Sequence, residues 1–310
     1  MATTTEQALI SNPIQSQSFP EIKEILFATD FSTASLAALP FAAAIARAFH
    51  SHVHLLHLVM PETYQFLPPE GMPLASSSLE EDARTRMREL QASSILKDIE
   101  VSSSEVVKGE LGLLLRRIEE RNIDLLVIGT HGRHGFRRLL LGSIADEIIR
   151  HAPCPVLTVG PHAKFSSDAG FHPRHVVFAT DASADSFRAL PNAVVFAKKE
   201  CSDLAMVHVL TNGREGTAEA SAFAALMRES LHHAIPLHAI KSCSPEVLVS
   251  FGDPVEQILK AAQDRESELI VMGARSSSVK LENKHSKGVS YGVIAGANCP
   301  VLTVRGHELR

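Results

Sequence analysis

Short apolar runs rich in β-branched residues alternate with longer amphipathic runs along the first half of the chain. Such alternation is typical of β-α-β units, in which each strand is followed by a helix that covers the sheet. The pattern predicts strands at about 23–29, 52–59, 103–108, 124–129 and 155–159, and helices at about 33–49, 79–97, 110–121 and 142–151. Because Leu125–Ile128 is apolar at every position, we expect this strand to be covered on both faces, as in a parallel sheet.

The second half of the chain repeats this pattern. Strands are predicted at about 174–180, 203–210, 246–250, 268–272 and 300–304, and helices at about 184–199, 217–234, 254–265 and 289–296. Ile25–Asp30 recurs as Val176–Asp181, and Cys154–Val159 recurs as Cys299–Val304. Such an internal repeat indicates two copies of one structural unit. The sequence therefore predicts an α/β protein with two tandem, doubly wound, parallel five-stranded sheets of Rossmann-like type, each flanked by about four helices.

The repeat also predicts the domain boundaries. Copy one spans residues 20–160, and copy two spans residues 172–310. Residues 1–19 are rich in Ser, Thr and Gln, which is typical of a disordered tail. Residues 161–171 contain Gly, Pro, Ser and Asp and are interpreted as a linker.

Two features of the copies bear on their packing. Each first helix contains a proline, Pro40 or Pro191. A proline inside a helix usually kinks it, so we expect the same kink in both copies. The last strands, 155–159 and 300–304, are candidates for pairing edge to edge. Such pairing would join the copies like the subunits of a dimer, as an intramolecular pseudo-dimer, and a further homodimer of the whole chain remains open.

The composition excludes several classes of partner. The 310 residues carry a net charge of −5 with a pI near 6.3, which gives no general electrostatic reason to bind nucleic acid or an anionic membrane. No apolar run approaches the ~18 residues of a membrane span, and no secretory signal is recognisable. The four cysteines form no C-x-x-C pair, so we expect buried, reduced thiols in a cytoplasmic protein. The scattered histidines lack metal-ligand spacing, so no metal site is predicted.

The strongest local signal is a glycine pattern in copy one. Gly129 and Gly132 follow the apolar strand, and nine residues later Gly142 and Ser143 begin a predicted helix. Glycines let main-chain N–H groups approach an anion closely, and a helix N-terminus adds unpaired N–H groups and a partial positive charge. The pattern therefore predicts a site for phosphate oxygens. The alternative is that the glycines only make tight turns.

Two further features favour an anionic ligand or a nucleotide at this place. The loop between the glycine pairs contains Arg133, His134, Arg137 and Arg138. Asp30 ends the first strand at the carboxyl edge of the predicted sheet, where ligands lie in open α/β sheets. Its carboxylate is suited to accept hydrogen bonds from ribose hydroxyls, and equally suited to cap the following helix.

On these residues, copy one resembles the universal stress protein family over about residues 21–160. The G-x-x-G-x9-G-[ST] pattern is the ATP-binding signature of that family. The first strand ending in Thr-Asp, the Leu56–Leu58 end of the second strand and the closing Cys-Pro-Val run are similar too. The resemblance implies a tandem universal stress protein with an adenine nucleotide alpha-hydrolase-like fold. It also implies that the nucleotide is ATP, bound together with a divalent metal, usually magnesium.

The resemblance further implies roles for individual residues. Asp30 would hold the ribose, and Ala28 and Leu58 would line the adenine pocket. The phosphates would lie against Gly129, Gly132, Gly142 and Ser143, with His131 and Arg133 nearby. Thr29 and Ile144 complete the predicted binding site, and no catalytic or metal-ligating residue is assigned.

Copy two departs from the signature. Gly273 matches Gly129, but Ser276 stands at the position of Gly132. Alignment back from the second Cys-Pro-Val run places Lys287 opposite Gly142. We therefore predict a degenerate site that binds ATP weakly or not at all. The alternative is an altered loop that still binds it.

The sequence leaves three functions open. It contains no Walker A run, no H-R-D and no order of residues that indicates a catalytic triad, so at most slow ATP hydrolysis is expected. The first function is an ATP-binding regulatory protein of the stress response, whose nucleotide modulates its conformation or its binding to an unidentified protein partner. The second is a weak ATPase or other nucleotide-using enzyme, with His131 and His134 assisting. The third is an assembly module with a structural nucleotide.

Overall fold

The structure is a computed structural model of the chain. It describes residues 19–60, 76–130, 141–165, 171, 173–199, 203–211, 216–236, 239–240, 243, 245–274 and 288–305. The predicted tail lies outside the described residues, apart from Phe19. Part of the predicted linker, 166–170, also lies outside them.

Copy one alternates strands and helices as its apolar pattern predicts. Its elements are β1 (Glu24–Ala28), α1 (Thr33–Leu36), α2 (Leu39–Phe49), β2 (His52–Val59), α3 (Ser76–Gln91), β3 (Val101–Lys108), α4 (Leu111–Glu120), β4 (Leu125–Gly129), α5 (Ser143–His151) and β5 (Val156–Val159). The helix predicted at 79–97 ends earlier, and a short 3-10 turn follows at Ser94–Leu96. The helix ends before Ser93, whose extended backbone, with φ −66° and ψ 148°, cannot continue it.

Copy two has the same order of elements. They are β6 (His175–Thr180), α6 (Ala184–Phe187), α7 (Leu190–Lys199), β7 (Asp203–Leu210), α8 (Ala218–Ala234), β8 (Glu246–Phe251), α9 (Pro254–Asp264), β9 (Leu269–Ala274), α10 (Val289–Gly296) and β10 (Val301–Arg305). None of the described helices combines the length and the apolar character needed to cross a bilayer.

The ten described strands form one sheet in the order β3-β2-β1-β4-β5-β10-β9-β6-β7-β8. Within each copy every strand pair is parallel. The two five-stranded halves meet where β5 and β10 pair antiparallel, with Leu157 opposite Leu302. The predicted edge-to-edge pairing of the last strands is therefore confirmed.

Helices cover both faces of this sheet, and both cores continue across the junction. One core contains Leu157 and Leu302 together with side chains of α2, α3, α7 and α8. The other contains Val156 and Val301 together with side chains of α4, α5, α9 and α10. Successive strand residues face opposite sides of a sheet, which explains why neighbours along β5 and β10 belong to different cores.

The proline in each first helix marks a break rather than the predicted kink. The helix predicted at 33–49 is divided into α1 and α2, with a turn at residues 37–38. Pro40 lies in the first turn of α2, where the N–H that proline lacks would have no hydrogen-bond partner within the helix. Pro191 has the same place in α7. The kink prediction was wrong because it assumed one continuous helix.

Aromatic side chains of the segment between β5 and β6 pack against both copies. The ring of Phe41 on α2 meets the rings of Phe165 and Phe171 edge-on, with centroids 5.0 and 5.5 Å apart. Phe171 in turn lies 6.3 Å from Phe196 on α7. Phe196 also meets Phe49 of copy one at 5.4 Å. Aromatic packing across the junction therefore supplements the β5–β10 pair.

Candidate functional site

The carboxyl ends of β1 and β4 lie side by side in the middle of copy one. The chain leaves β1 toward the face that carries α2 and leaves β4 toward the face that carries α5. Ligands of open α/β sheets usually bind in the crevice at such a switch point. The two strands are in register, with Phe27 opposite Val127, which brings Ala28–Asp30 and Gly129 to the same edge.

Gly129 is required by the packing of α1. A Cβ at this position would lie 2.5 Å from the carbonyl oxygen of Ala34 and 2.7 Å from the Cα of Ser35. Gly273, its counterpart in copy two, would bring a Cβ to 2.8 Å from the Cα of Ser186. The close approach of a short helix therefore explains this glycine in both copies. The missing side chain of Gly129 is not evidence for a phosphate.

The start of α5 presents main-chain amides without a side-chain cap. Gly142 is the N-cap, with φ −60° and ψ 147°, and its own N–H donates to the carbonyl oxygen of Thr130 at 2.9 Å. No side chain of the described residues caps this helix. Four other helices do have side-chain caps, which are Ser32, Ser183, Thr217 and Asp253. The first-turn N–H groups of Ser143 and Ile144, both exposed residues, are therefore the ones suited to an anion.

Asp30 supports the turn that follows β1. Its Oδ1 accepts a hydrogen bond from the N–H of Ser32 at 2.9 Å, and the hydroxyl of Ser32 accepts one from the N–H of Ser35 at 3.1 Å. The helix cap that the sequence offered to Asp30 is thus made by Ser32. Asp181 of copy two likewise accepts from the N–H of Ser183 at 3.0 Å. Asp30 is half-buried, whereas Asp181 is exposed.

A buried hydrogen-bond network anchors the end of β1. The Ser35 hydroxyl and the N–H of Phe31 each donate to Oγ1 of Thr29 at 2.9 Å. Nδ1 of His57 donates to the carbonyl oxygen of Thr29 at 2.7 Å, since that oxygen carries no proton. Phe31 has a φ of 61°, and its ring centroid lies 4.5 Å from that of His57. The network holds the backbone directly beside Asp30 in place.

Copy two contains the same network. The hydroxyls of Thr180 and Ser186 lie 2.8 Å apart, the N–H of Ala182 donates to Oγ1 of Thr180 at 3.0 Å, and Nδ1 of His208 donates to the Thr180 carbonyl at 2.9 Å. Sequence reasoning missed both networks, although threonine, serine and histidine recur at equal spacing in the two copies. Because the network is present where the glycine pattern is altered, it belongs to the fold.

The two residues predicted to line the adenine pocket lie on one face of the sheet. Ala28 and Leu58 both pack, partly buried, against the core beneath α4 and α5. Ala28 lies opposite Leu56, which makes Leu58 its diagonal neighbour on the adjacent strand. Three predicted site residues, His131, Gly132 and Arg133, lie outside the described residues.

Helix α10 of copy two begins at Val289, as the apolar pattern predicts. Its N-cap is Gly288, with φ −59° and ψ 161°, whereas the alignment placed Lys287 opposite the N-cap Gly142. Copy two therefore keeps a glycine at this helix start, and the described residues provide no side-chain cap there. Lys287 and Ser276 lie outside the described residues.

The described cysteines are buried thiols. Burial raises the pKa of Cys154 and of Cys299 to about 12 and that of Cys243 to about 11. All three are free, which confirms the expectation for them, and Cys201 lies outside the described residues. Within the described ranges, no group of three His, Cys, Asp or Glu side chains is arranged to hold a metal ion.

Comparison with known sequences gives the same family for both copies. The model of the universal stress protein family matches residues 21–160 and again residues 172–305. A universal stress protein of Methanocaldococcus jannaschii is 31% identical over 138 residues, which cover 44% of this chain and 81% of that protein. Universal stress protein A homolog 1 of Coxiella burnetii is 34% identical over 142 residues, which cover 44% of this chain and 95% of that protein.

Solved structures share the fold over both copies. The crystal structure of a universal stress protein from Archaeoglobus fulgidus is similar with a TM-score of 0.64 at 19% identity, covering 93% of this chain and 100% of that one. A protein from Pseudomonas aeruginosa is similar with a TM-score of 0.59 at 16% identity, covering 93% and 94%. The two family matches together span most of the sequence. This chain therefore belongs to the universal stress protein family.

Proposed function

We propose that this protein is an ATP-binding regulatory protein of the stress response, which holds one nucleotide, mainly in copy one. The observation that carries the proposal is the place of the glycine signature. Gly142 and Ser143 begin α5 beside the switch point, and no described side chain occupies the cap position. A triphosphate supplies anionic oxygens of the kind that such a helix start binds.

The described residues fit the other parts of the nucleotide. The Asp30 carboxylate stands at the carboxyl edge of the sheet and is suited to accept hydrogen bonds from ribose hydroxyls. Ala28 and Leu58 provide a partly buried apolar surface suited to adenine. The N–H groups of Ser143 and Ile144 are suited to phosphate oxygens. In this proposal Gly129 serves the packing of α1, and the close approach of phosphate depends on Gly132 and Gly142.

Magnesium fits this site only as a partner of the phosphates. In proteins Mg²⁺ commonly binds through substrate phosphates, water and one or two carboxylates. The described residues contain no cluster of three ligating side chains. The phosphate oxygens and water would therefore supply most of its ligands, and its chemistry there would be to neutralise the phosphate charge.

The bound nucleotide acts on the arrangement of the two copies. ATP shifts a conformation only by its difference in affinity for the two states. Helix α5 packs on the core of copy one and also contacts β10 of copy two. A ligand that binds at its start therefore bears directly on the junction between the copies.

The nucleotide content of the purified chain tests the proposal. The protein is denatured, the supernatant is chromatographed, and adenylate is counted per chain. We expect one ATP per chain, still intact after prolonged incubation. Two per chain would assign a second pocket to copy two, and conversion to ADP within the incubation would favour the weak ATPase. An empty protein that also fails to bind added ATP in calorimetry would overturn the proposal.

A matched pair of glycine variants localises the nucleotide. Gly142 and Gly288 are both N-caps with φ near −60°, a backbone conformation that alanine also adopts. We expect Gly142→Ala to lower ATP affinity at least several-fold, because a Cβ would stand at the helix start beside the phosphates. Gly288→Ala, where a Cβ meets nothing within 4 Å, should leave the affinity unchanged. Equal effects of the two substitutions would contradict the assignment to copy one.

A further inference from the structure

Helix α5 of copy one is held at both ends by residues of copy two. At its start, the N–H of Leu141 donates to Oη of Tyr291 at 3.0 Å. At its end, Nη1 of Arg305 donates to the carbonyl oxygen of His151 at 3.3 Å. Tyr291 lies on α10, and Arg305 ends β10, the strand that joins the copies. Copy two therefore contacts the helix whose start we propose as the phosphate site.

Two consecutive amides before this helix are fixed by hydrogen bonds. The N–H of Leu141 is bound to Tyr291, and the N–H of Gly142 is bound to the carbonyl oxygen of Thr130 at 2.9 Å. The side chain of Leu141 is buried in the core beneath α5. The direction of the next two amides, those of Ser143 and Ile144, depends on this anchored segment.

The described residue that takes the place of Tyr291 in copy one is not a tyrosine. Alignment back from the two Cys-Pro-Val runs places Asp146 opposite Tyr291. Asp146 instead accepts a hydrogen bond from Nε of Arg150 at 3.0 Å, within α5 itself. Among the described residues, the contact is therefore asymmetric. Copy two, whose glycine signature is altered, supports the helix of copy one, whose signature is complete.

We infer that Tyr291 is a positioning residue for nucleotide binding in copy one, and that copy two supports the phosphate site of its neighbour. The inference rests on the proposed ATP site. The apparent affinity of a ligand falls with the fraction of protein in the competent arrangement. Releasing Leu141 therefore weakens ATP binding through the direction of the Ser143 and Ile144 amides. By thermodynamic reciprocity, bound ATP strengthens the contact between Leu141 and Tyr291.

The test compares Tyr291→Phe with Arg305→Gln in the full chain. The phenylalanine keeps the ring that packs on the core and removes only the hydroxyl. We expect the Kd for ATP, measured by calorimetry, to rise roughly 2- to 10-fold, as for the loss of one neutral hydrogen bond. Arg305→Gln releases the opposite end of α5 and should change the Kd less than about 2-fold. Amide exchange at Leu141 should be slowed by ATP in the wild-type chain and lose that dependence in Tyr291→Phe.

Each result decides the inference. Equal Kd values for the wild-type chain and Tyr291→Phe would overturn it and leave ATP binding in place. An equal rise in the Kd of both variants would also overturn it, because a general loosening of the junction between the copies would then explain the weaker ATP binding. A wild-type chain that binds no ATP would overturn the proposed function and the coupling together. If Tyr291→Phe fails to fold, the wild-type chain still tests the coupling. Amide exchange at Leu141 that proceeds at the same rate with and without ATP would contradict it.

Discussion

The main chain of Ala34 lies against Gly129 so closely that a Cβ on the glycine would come within 2.5 Å of the Ala34 carbonyl oxygen. The obstructing atoms are backbone, so no side-chain rotation relieves the clash. We expect Gly129→Ala to lower the free energy of unfolding by about 1–3 kcal/mol, as overpacking does elsewhere. Gly273→Ala should have a smaller effect of the same sign, because its nearest atom is 2.8 Å away. Urea unfolding of the variants measures both.

Gly112→Ala is the matched control for these substitutions. Gly112 lies on α4, and a Cβ there meets nothing within 4 Å. Alanine is the better helix former by up to ~1 kcal/mol, so this variant should be as stable as the wild-type chain or slightly more stable. If Gly129→Ala matched Gly112→Ala in stability, the packing explanation of Gly129 would be wrong.

The hydrogen bond between the hydroxyls of Ser35 and Thr29 predicts that substitutions of these two residues are energetically coupled. Thr29→Val leaves the Ser35 hydroxyl and the Phe31 N–H without their shared acceptor, and an unsatisfied buried group costs about 1–3 kcal/mol. Ser35→Ala removes the other partner. A double-mutant cycle should therefore show an interaction energy of roughly 0.5–3 kcal/mol. The Thr180–Ser186 pair provides an internal duplicate, and additive effects in both copies would contradict the network.

A pH-dependent pair links β1 to β2. Nδ1 of His52 lies 2.9 Å from Oε1 of Glu24. The hydrogen bond to Glu24 raises the pKa of His52 above its usual 6.5, and the charge of Glu100 adds to the effect. Burial pushes the pKa of Glu24 upward, but hydrogen bonds with His52 and His54 outweigh burial and hold that pKa below 4.5.

These shifts define the pH window in which Glu24→Gln destabilises the protein. The stabilisation from His52 is fully present below pH 6.5 and is lost as the pH rises through its raised pKa. The stabilisation from Glu24 is present above pH 4.5 and is lost as the pH falls through its lowered pKa. We therefore expect the largest loss of stability between about pH 4.5 and 6.5. NMR titration should show the pKa of His52 falling in the variant, and an unchanged titration would refute the pairing.

The buried thiols predict slow alkylation of the folded protein. Thiolates are the reactive species, and burial raises the pKa of Cys154 and Cys299 to about 12. At pH 8 we expect iodoacetamide to label Cys154, Cys243 and Cys299 only after denaturation. Mass spectrometry of the peptides identifies each site. Rapid labelling of Cys154 in the folded chain would show that the end of copy one opens more readily than its packing indicates.

Strands were predictable from sequence, and the division of the first helices was not. Leu125–Ile128 is apolar at every position, and that pattern has few other interpretations in an α/β chain. The break between α1 and α2 depends on α1 lying against the end of β4, which is a contact between distant parts of the sequence. Pro40 marked the place, but its sequence context fits both a kink and a new helix start.

The candidate site also combines features that the sequence predicts with features that it does not. Asp30 and Gly129 were expected at one edge because strand ends in a parallel sheet meet there, and the topology places them so. The role of Gly129 in packing depends on a helix backbone nearly a hundred positions away, which no local motif reveals. The contact between Leu141 and Tyr291 spans the two copies. A comparison of the copies with each other does not reveal it, because copy one has Asp146 at the position of Tyr291.

The antiparallel β5–β10 pair has a consequence for how this protein behaves on dilution. In a dimer of separate subunits, the fraction assembled falls as the concentration falls. Here one polypeptide carries both strands, so each half meets its neighbour at an effective concentration fixed by the short connection between them. Pairing is therefore independent of how much protein the cell makes, and every molecule combines one intact half with one altered half.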